Sequence, residues 1–344
     1  MVEFLFFLSS GLFLGWSLGG NDAANIFGTA VGSKMIRFKS AAIIGSVFVI
    51  IGAVVSGAGA SGTLGELGAI NALGGAFMVA LSAAICVFFM SKSGIPVSTS
   101  QAIVGGVIGW NFYAHKPTDI MLLSKIATTW IVCPIIAGVV ALLLFLIIKQ
   151  WLKTSKMHLL RQDFYTRIGL VVVGAFGAYA LGANNIANVM GVFVNSSPIK
   201  GVLGFSSTQV LFLIGAIAIA VGIITYSKKV IETVGNSLME MSPIVALIVV
   251  FSQAFVLFIF SSTDLQDLFI SLNIPPLPLV PVSSSQAVVG AIIGIGIAKK
   301  SNSIKWSVLG RIAIGWVLTP IISALISFVG LFMLANIFQI IVAY

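Results

Sequence analysis

Apolar residues run along the chain in ten long stretches, at 4–33, 40–58, 72–91, 96–114 and 122–148, then 168–194, 203–226, 242–262, 280–298 and 308–343. An α-helix needs about 20 residues to cross a hydrocarbon core of about 30 Å, and the stretches are of that order. Charged residues fall mainly in the short segments between them, so each stretch predicts a membrane helix and each connection a loop. The first stretch, from Phe4, lacks a basic leader and a small-residue cleavage signal, which predicts a first membrane helix rather than a removed signal peptide.

Three blocks recur in the same order in the two halves. Gly19-Gly20-Asn21-Asp22-Ala23-Ala24-Asn25 returns as Gly182-Ala183-Asn184-Asn185-Ile186-Ala187-Asn188, 163 residues later. Pro96-Val97-Ser98-Thr99-Ser100-Gln101 returns as Pro281-Val282-Ser283-Ser284-Ser285-Gln286 at an offset of 185. Lys125-Ile126-Ala127, Trp130 and Pro134 return as Arg311-Ile312-Ala313, Trp316 and Pro320 at 186. The offset grows by 22 between the first two blocks, which predicts extra loop in the second half around Ser261–Val280 and Lys228–Glu240.

Five stretches per half is an odd number, so the second half is expected to enter the membrane upside down relative to the first. With Met1 outside, fifteen Lys and Arg fall in the inner loops, and only Lys116, Lys125 and Lys200 fall outside. Such a bias places the basic loops in the cytoplasm and both termini outside. The organisation expected is a first transmembrane repeat at 1–148, a basic cytoplasmic linker at 149–167 and a second, inverted repeat at 168–344. The fold class is thus all-α and polytopic: two inverted-topology repeats with broken or re-entrant helices meeting at the midplane. A weaker alternative makes the Pro-Val-Ser blocks re-entrant hairpins, which would require another crossing segment in each half.

Composition narrows the class further. The 344 residues are 59% hydrophobic and 8% charged, with a mean hydropathy of +1.15. A soluble domain carries about 25% charged residues, so this chain belongs in lipid. The net charge of +9 sits in the short loops, where it sets topology instead of marking a nucleic-acid partner. Cys86 and Cys133 lie far apart in apolar runs and read as small hydrophobes, not a disulfide or a metal pair.

Asp22 is the one acidic residue in the middle of an apolar stretch, and no basic residue lies at similar depth. A carboxylate there needs a cation or a polar partner. Asn21, Asp22, Asn184 and Asn185 are therefore candidate ligands of Na⁺ or another coupling cation, with Asn25 and Asn188 beside them. The paired glycines are expected to interrupt the helix at this point. Ser98, Thr99, Ser100 and Gln101, and Ser283, Ser284, Ser285 and Gln286, each put hydroxyls at a helix start, where free N–H groups and the positive end of the helix dipole suit a tetrahedral oxyanion. The plainer alternatives are helix-tying asparagines and N-capping serines; duplication favours the binding site. Trp130 with Pro134, and Trp316 with Pro320, read as interface anchors and kinks. His115 and His158 fall in loops, and no Cys/His or Ser-His-Asp constellation points to an enzyme or a bound cofactor. A passive channel is the rival outside the carrier class, but Asn-Pro-Ala boxes are missing and Asp22 would hinder a neutral-solute pore.

These blocks resemble the inorganic phosphate transporter (PiT) family, which also includes sulfate permeases and whose signature is a duplicated G-A-N-D-x-A-N followed in each half by P-x-S-[ST]-[ST]. The resemblance covers nearly the whole chain. It implies an inverted-repeat symporter of inorganic phosphate, coupled to Na⁺ or H⁺, in the inner (plasma) membrane, with the six Asn and Asp residues binding cation and helping to hold the anion. Ser98, Thr99, Ser100, Ser283, Ser284 and Ser285 would bind the anion, and a homodimer is implied by the resemblance alone. Two departures matter. Asn185 stands where the second motif usually has Asp, and Gln101 and Gln286 stand where many phosphate members carry His, which moves weight toward sulfate as the substrate.

Overall fold

The structure, a computed structural model, describes residues 2–93, 97–155, 157–234, 241–299 and 306–344. Pro96 of the first repeat block and the loop residues Lys156, Glu240, Lys300 and Lys305 lie outside them. Every apolar stretch folds as a helix. The first half contains α1 (Val2–Gly32), α2 (Phe38–Ser56), the short α3 (Ala58–Gly68), α4 (Leu73–Lys92), α5 (Thr99–Tyr113) and α6 (Ile120–Thr154). The second contains α7 (Leu159–Met190), α8 (Ser207–Thr225), the short α9 (Ser227–Val234), α10 (Pro243–Ile259), the short α11 (Thr263–Ser271), α12 (Ser284–Lys299) and α13 (Trp306–Asn336). Among the described residues seven helices, namely α1, α2, α4, α6, α7, α8 and α13, are long and apolar enough to cross a bilayer alone, and α10 and α11 form a pair bent by 68°. The protein is a multi-pass membrane protein.

The expectation of ten full-length spans needs correction at α5 and α12. With 15 and 16 residues, each extends only about 23 Å at 1.5 Å per residue, short of a 30 Å core. α4 and α5 form an antiparallel hairpin, since Gly75 meets Trp110 and Gly106 meets Val79 and Ser82. The tip of that hairpin stops beside α1.

A second correction concerns the glycines. α1 runs unbroken through Gly19 and Gly20, and α7 through Gly182. Their role is close approach. A Cβ on Gly19 would overlap the Ile219 carbonyl of α8, and one on Gly182 would overlap the Val49 carbonyl of α2. Small residues let helix backbones touch in lipid, where van der Waals packing drives association. The contacts are reciprocal: α1 packs on α8 and α2 on α7, α5 on α13 and α12 on α6. Gly105 against Pro320 repeats as Gly290 against Pro134.

The extra residues of the second half lie in two places. The expected insertion near Ser261–Val280 is present, as α11 and the extended run after it. The one expected near Lys228–Glu240 is not: residues 57–72 separate α2 from α4 and 226–242 separate α8 from α10, one residue more. The remainder sits between Phe193 and Ser207, where the chain lacks the short turn that joins α1 to α2. The basic segment 149–167 is largely helical rather than a loop, with residues 149–154 in α6 and 159–167 in α7. Both termini lie at one end of the molecule. Asn71 exchanges hydrogen bonds of 3.0 and 3.1 Å with the Tyr344 backbone, and Glu3 lines the same cavity.

Candidate ion and substrate site

α10 and α12 pack together as the second-half counterpart of the α4–α5 hairpin, and the two hairpin tips meet against the asparagine-bearing turns of α1 and α7. The Asn21 Nδ2 donates to Asp22 Oδ1 at 2.7 Å and to the Val97 carbonyl at 3.3 Å, while its own Oδ1 accepts from the Ser91 hydroxyl at 2.9 Å. In the second half the Asn184 Nδ2 donates to the Val280 carbonyl at 3.2 Å, and its Oδ1 accepts from the Val282 N–H at 2.9 Å. Each asparagine grips the extended segment that precedes the hydroxyl-bearing helix of its own half.

The halves are then bonded to each other. The Ser100 hydroxyl donates to the Val282 carbonyl at 3.0 Å, and the Ser285 hydroxyl donates to the Val97 carbonyl at 3.2 Å. These two bonds are equivalent under exchange of the repeats. The Asn188 Nδ2 donates to Ser100 Oγ and to Asn185 Oδ1, both at 2.9 Å, and the Asn25 Nδ2 donates to Ser284 Oγ at 3.3 Å. Ser284 also reaches the Asp22 carboxylate. Of the fourteen candidate residues, all but the half-buried Asn25 are at most 3% exposed. The structure thus joins the asparagine blocks and the hydroxyl blocks of both halves by hydrogen bonds, with Thr99, Gln101 and Gln286 buried in the same helix starts.

Within each block the hydroxyls divide the work. Ser98 accepts from the Gln101 N–H at 3.2 Å and Ser283 from the Gln286 N–H at 3.3 Å, so the first serine of each block caps its helix. The third serine of each block crosses to the other half. The middle residue of the first block, Thr99, has a buried hydroxyl with no partner, as have Asn185 Nδ2 and the carboxamide oxygens of Gln101, Asn188 and Gln286. Buried polar atoms are nearly always paired, and these five are the unpaired side-chain atoms among the candidate residues. The hydroxyl and the amide N–H suit an anion, the Gln101 and Gln286 oxygens suit a protonated anion oxygen, and the Asn188 oxygen and Asp22 suit a hard cation such as Na⁺. No Lys or Arg is buried among the described residues, and no three His, Cys, Asp or Glu side chains gather there.

Sequence reasoning missed Ser91, the C-terminal residue but one of α4. It falls in no duplicated block, and the one signal was a hydroxyl at the end of an apolar run. Missed too were the carbonyls of Val97, Val280 and Val282, because a backbone acceptor leaves no mark on residue type. His115 lines a groove on α5 and α13, and His158 caps α7 by accepting from the Leu160 N–H at 3.3 Å, both outside the cluster.

A model of the phosphate transporter family matches residues 18–165 and 153–327. The chain belongs to that family. It is 28% identical over 313 residues to a protein described as a candidate phosphate permease of Methanocaldococcus jannaschii, covering 91% of each chain. A similarly described protein of Haemophilus influenzae is 25% identical over 418 residues, with 96% of each covered. Among solved structures, one described as the sodium-dependent phosphate transporter superposes with a TM-score of 0.79 over 98% of this chain and 100% of its own, at 22% identity. That likeness establishes the fold of this family member, a helical transporter fold.

Proposed function

We propose that the protein is a secondary active symporter that imports inorganic phosphate together with Na⁺, with both ligands bound between the two hairpin tips. The observation that carries this reading is the pairing of one buried carboxylate, Asp22, with two interlocked hydroxyl-bearing helix starts and, among the described residues, no buried basic residue. A phosphate held only by neutral donors brings negative charge next to Asp22. That charge is tolerated in a low-dielectric site only when cations enter with it, which couples the two fluxes. Thr99, Ser284, the free N–H groups of α5 and α12, and Asn185 Nδ2 would hold phosphate; Asp22 and the oxygens of Asn21, Asn25, Asn184, Asn185 and Asn188 would surround Na⁺.

Inversion of the repeats supports alternating access through this site. The contacts of Gly52 with Tyr179 and of Gly57 with Ile186 run α2 and α7 in the same direction. A short turn, residues 33–37, joins α1 to α2, so α1 opposes α2 and therefore opposes α7, its own repeat counterpart. Whether a hairpin counts as two crossings or none, the number per half stays odd, and the extra crossing that the re-entrant alternative seemed to require is unnecessary. The first half then spans 1–148 and the second 168–344, and the basic loops place both termini outside.

Sulfate is the competing substrate. The unpartnered oxygens of Gln101 and Gln286 favour phosphate. At neutral pH phosphate carries a P–O–H that can donate to them, whereas sulfate has no proton to give. Uptake of labelled phosphate into proteoliposomes should saturate, rise when Na⁺ replaces K⁺, and resist unlabelled sulfate. Uptake indifferent to Na⁺ and dependent on a pH gradient would make H⁺ the coupling ion, and equal competition by sulfate would overturn the substrate assignment.

A further inference from the structure

At the opposite end of α12 from the cluster, the last turns of α6, the C-terminus of α12 and the N-terminus of α10 enclose a cleft of about 350 Å³. Lys149, Lys153 and Lys299 line it, together with Phe145 and Val245 and the uncapped N-cap residue Ser242. The ammonium groups of Lys149 and Lys299, from different halves of the chain, lie 5.8 and 5.6 Å from the centroid of the single Phe145 ring. Two like charges on one ring repel each other, and among the described residues no carboxylate lines the cleft. Among the described residues the ion pair Arg167–Asp163 lies elsewhere, on α7. Ser242 makes no side-chain cap bond and Pro243 opens α10, so first-turn N–H groups of a 17-residue helix also face this end unpaired.

We propose that this cleft binds the phosphoryl headgroup of an anionic phospholipid from the inner leaflet. Three ammonium groups and a helix N-terminus supply charge and donors for the phosphodiester, and the apolar walls offer a bed for the first methylenes of an acyl chain. Basic clefts between membrane helices on the cytoplasmic side suit such headgroups. The charge bias of the loops puts this end of the molecule on that side. The lipid joins the ends of α6, α10 and α12. α12 begins at Ser284 and α10 supplies the Leu257 carbonyl to Asn184 at 3.5 Å, so the lipid steadies two arms that carry the transport cluster. The assignment does not depend on which ion is coupled or which anion is carried.

The test is thermal unfolding of the purified full chain in a neutral detergent, with added phosphatidylglycerol, phosphatidylcholine or inorganic phosphate. Phosphatidylglycerol should raise the midpoint by about 3 °C or more and phosphatidylcholine should not. The variant K149Q/K153Q/K299Q should lose that rise, and K149R/K153R/K299R should keep it. Replacing Lys34 and Lys39, elsewhere on the same side, should leave it intact. Native mass spectrometry of the wild type provides a measurement independent of variant folding: retained phosphatidylglycerol adducts should exceed phosphatidylcholine adducts at equal concentration. Equal retention of the two lipids, or a rise that survives in the glutamine variant, would overturn the proposal. A phosphate-induced rise that disappears in the glutamine variant would assign the cleft to free phosphate and overturn the lipid assignment.

Discussion

Substituting Ser100 and Thr99 separately by alanine should give opposite phenotypes, although the two hydroxyls are adjacent and both are buried. Ser100 Oγ donates to the Val282 carbonyl and accepts from Asn188 Nδ2. Ser100→Ala leaves both partners buried and unpaired, at about 1–3 kcal/mol for each group, so a loss of roughly 2–4 kcal/mol is expected after partial relaxation. It also removes two hydrogen bonds between the halves, and the unfolding midpoint of the purified protein should fall by several degrees. Thr99→Ala removes a hydroxyl that has no partner in the protein, so stability should hold. What disappears is a donor to an ionised ligand, about 1.5–3 kcal/mol. That is roughly a ten- to hundredfold rise in the phosphate concentration giving half-maximal uptake, and Thr99→Ser should restore it. Unfolding curves and uptake kinetics on the same preparations decide the matter. A Thr99→Ala protein with unchanged phosphate dependence, or one destabilised as much as Ser100→Ala, would refute this assignment of roles.

Asp22→Asn should fold, because the new carboxamide oxygen can still accept from Asn21 Nδ2, yet its phosphate uptake should no longer respond to Na⁺; retained Na⁺ stimulation would remove Asp22 from the cation site. Ser91→Ala frees the Asn21 carboxamide to rotate, so the Na⁺ concentration for half-maximal uptake should rise roughly three- to tenfold at little change in phosphate dependence, with Ser91→Thr restoring it. Gly19→Ala drives a Cβ into the Ile219 carbonyl and should abolish folded protein in the membrane, whereas at Gly62 of α3 nothing lies within 4 Å and alanine should be tolerated; similar yields of the two by size-exclusion chromatography would contradict the tight α1–α8 approach.

Much of the site was legible because lipid penalises polar atoms so heavily. Asp22 in an apolar stretch, and two copies each of an asparagine block and a hydroxyl block, stand out by residue type and position alone. Which hydroxyl does what did not. Ser98 caps, Thr99 waits and Ser100 crosses, yet the three occupy one unbroken run in which nothing local separates them. The glycines misled for a related reason. A glycine pair is compatible with a broken helix or with a close neighbour, and only the position of α8 decides between them. Ser91 stayed hidden because its partner Asn21 is 70 residues away.

The sequence by itself determined that this is an all-helical membrane protein made of two related halves, and which polar residues had to be reconciled with lipid. Those properties depend on local composition and on repetition along the chain, both of which survive without coordinates. Tertiary structure alone decided that α5 and α12 stop short, that each hairpin tip bonds to the backbone of the other half, and that lysines from both halves share the face of Phe145. These depend on distances between residues up to 188 positions apart in the chain, set by how closely glycine lets the helices approach.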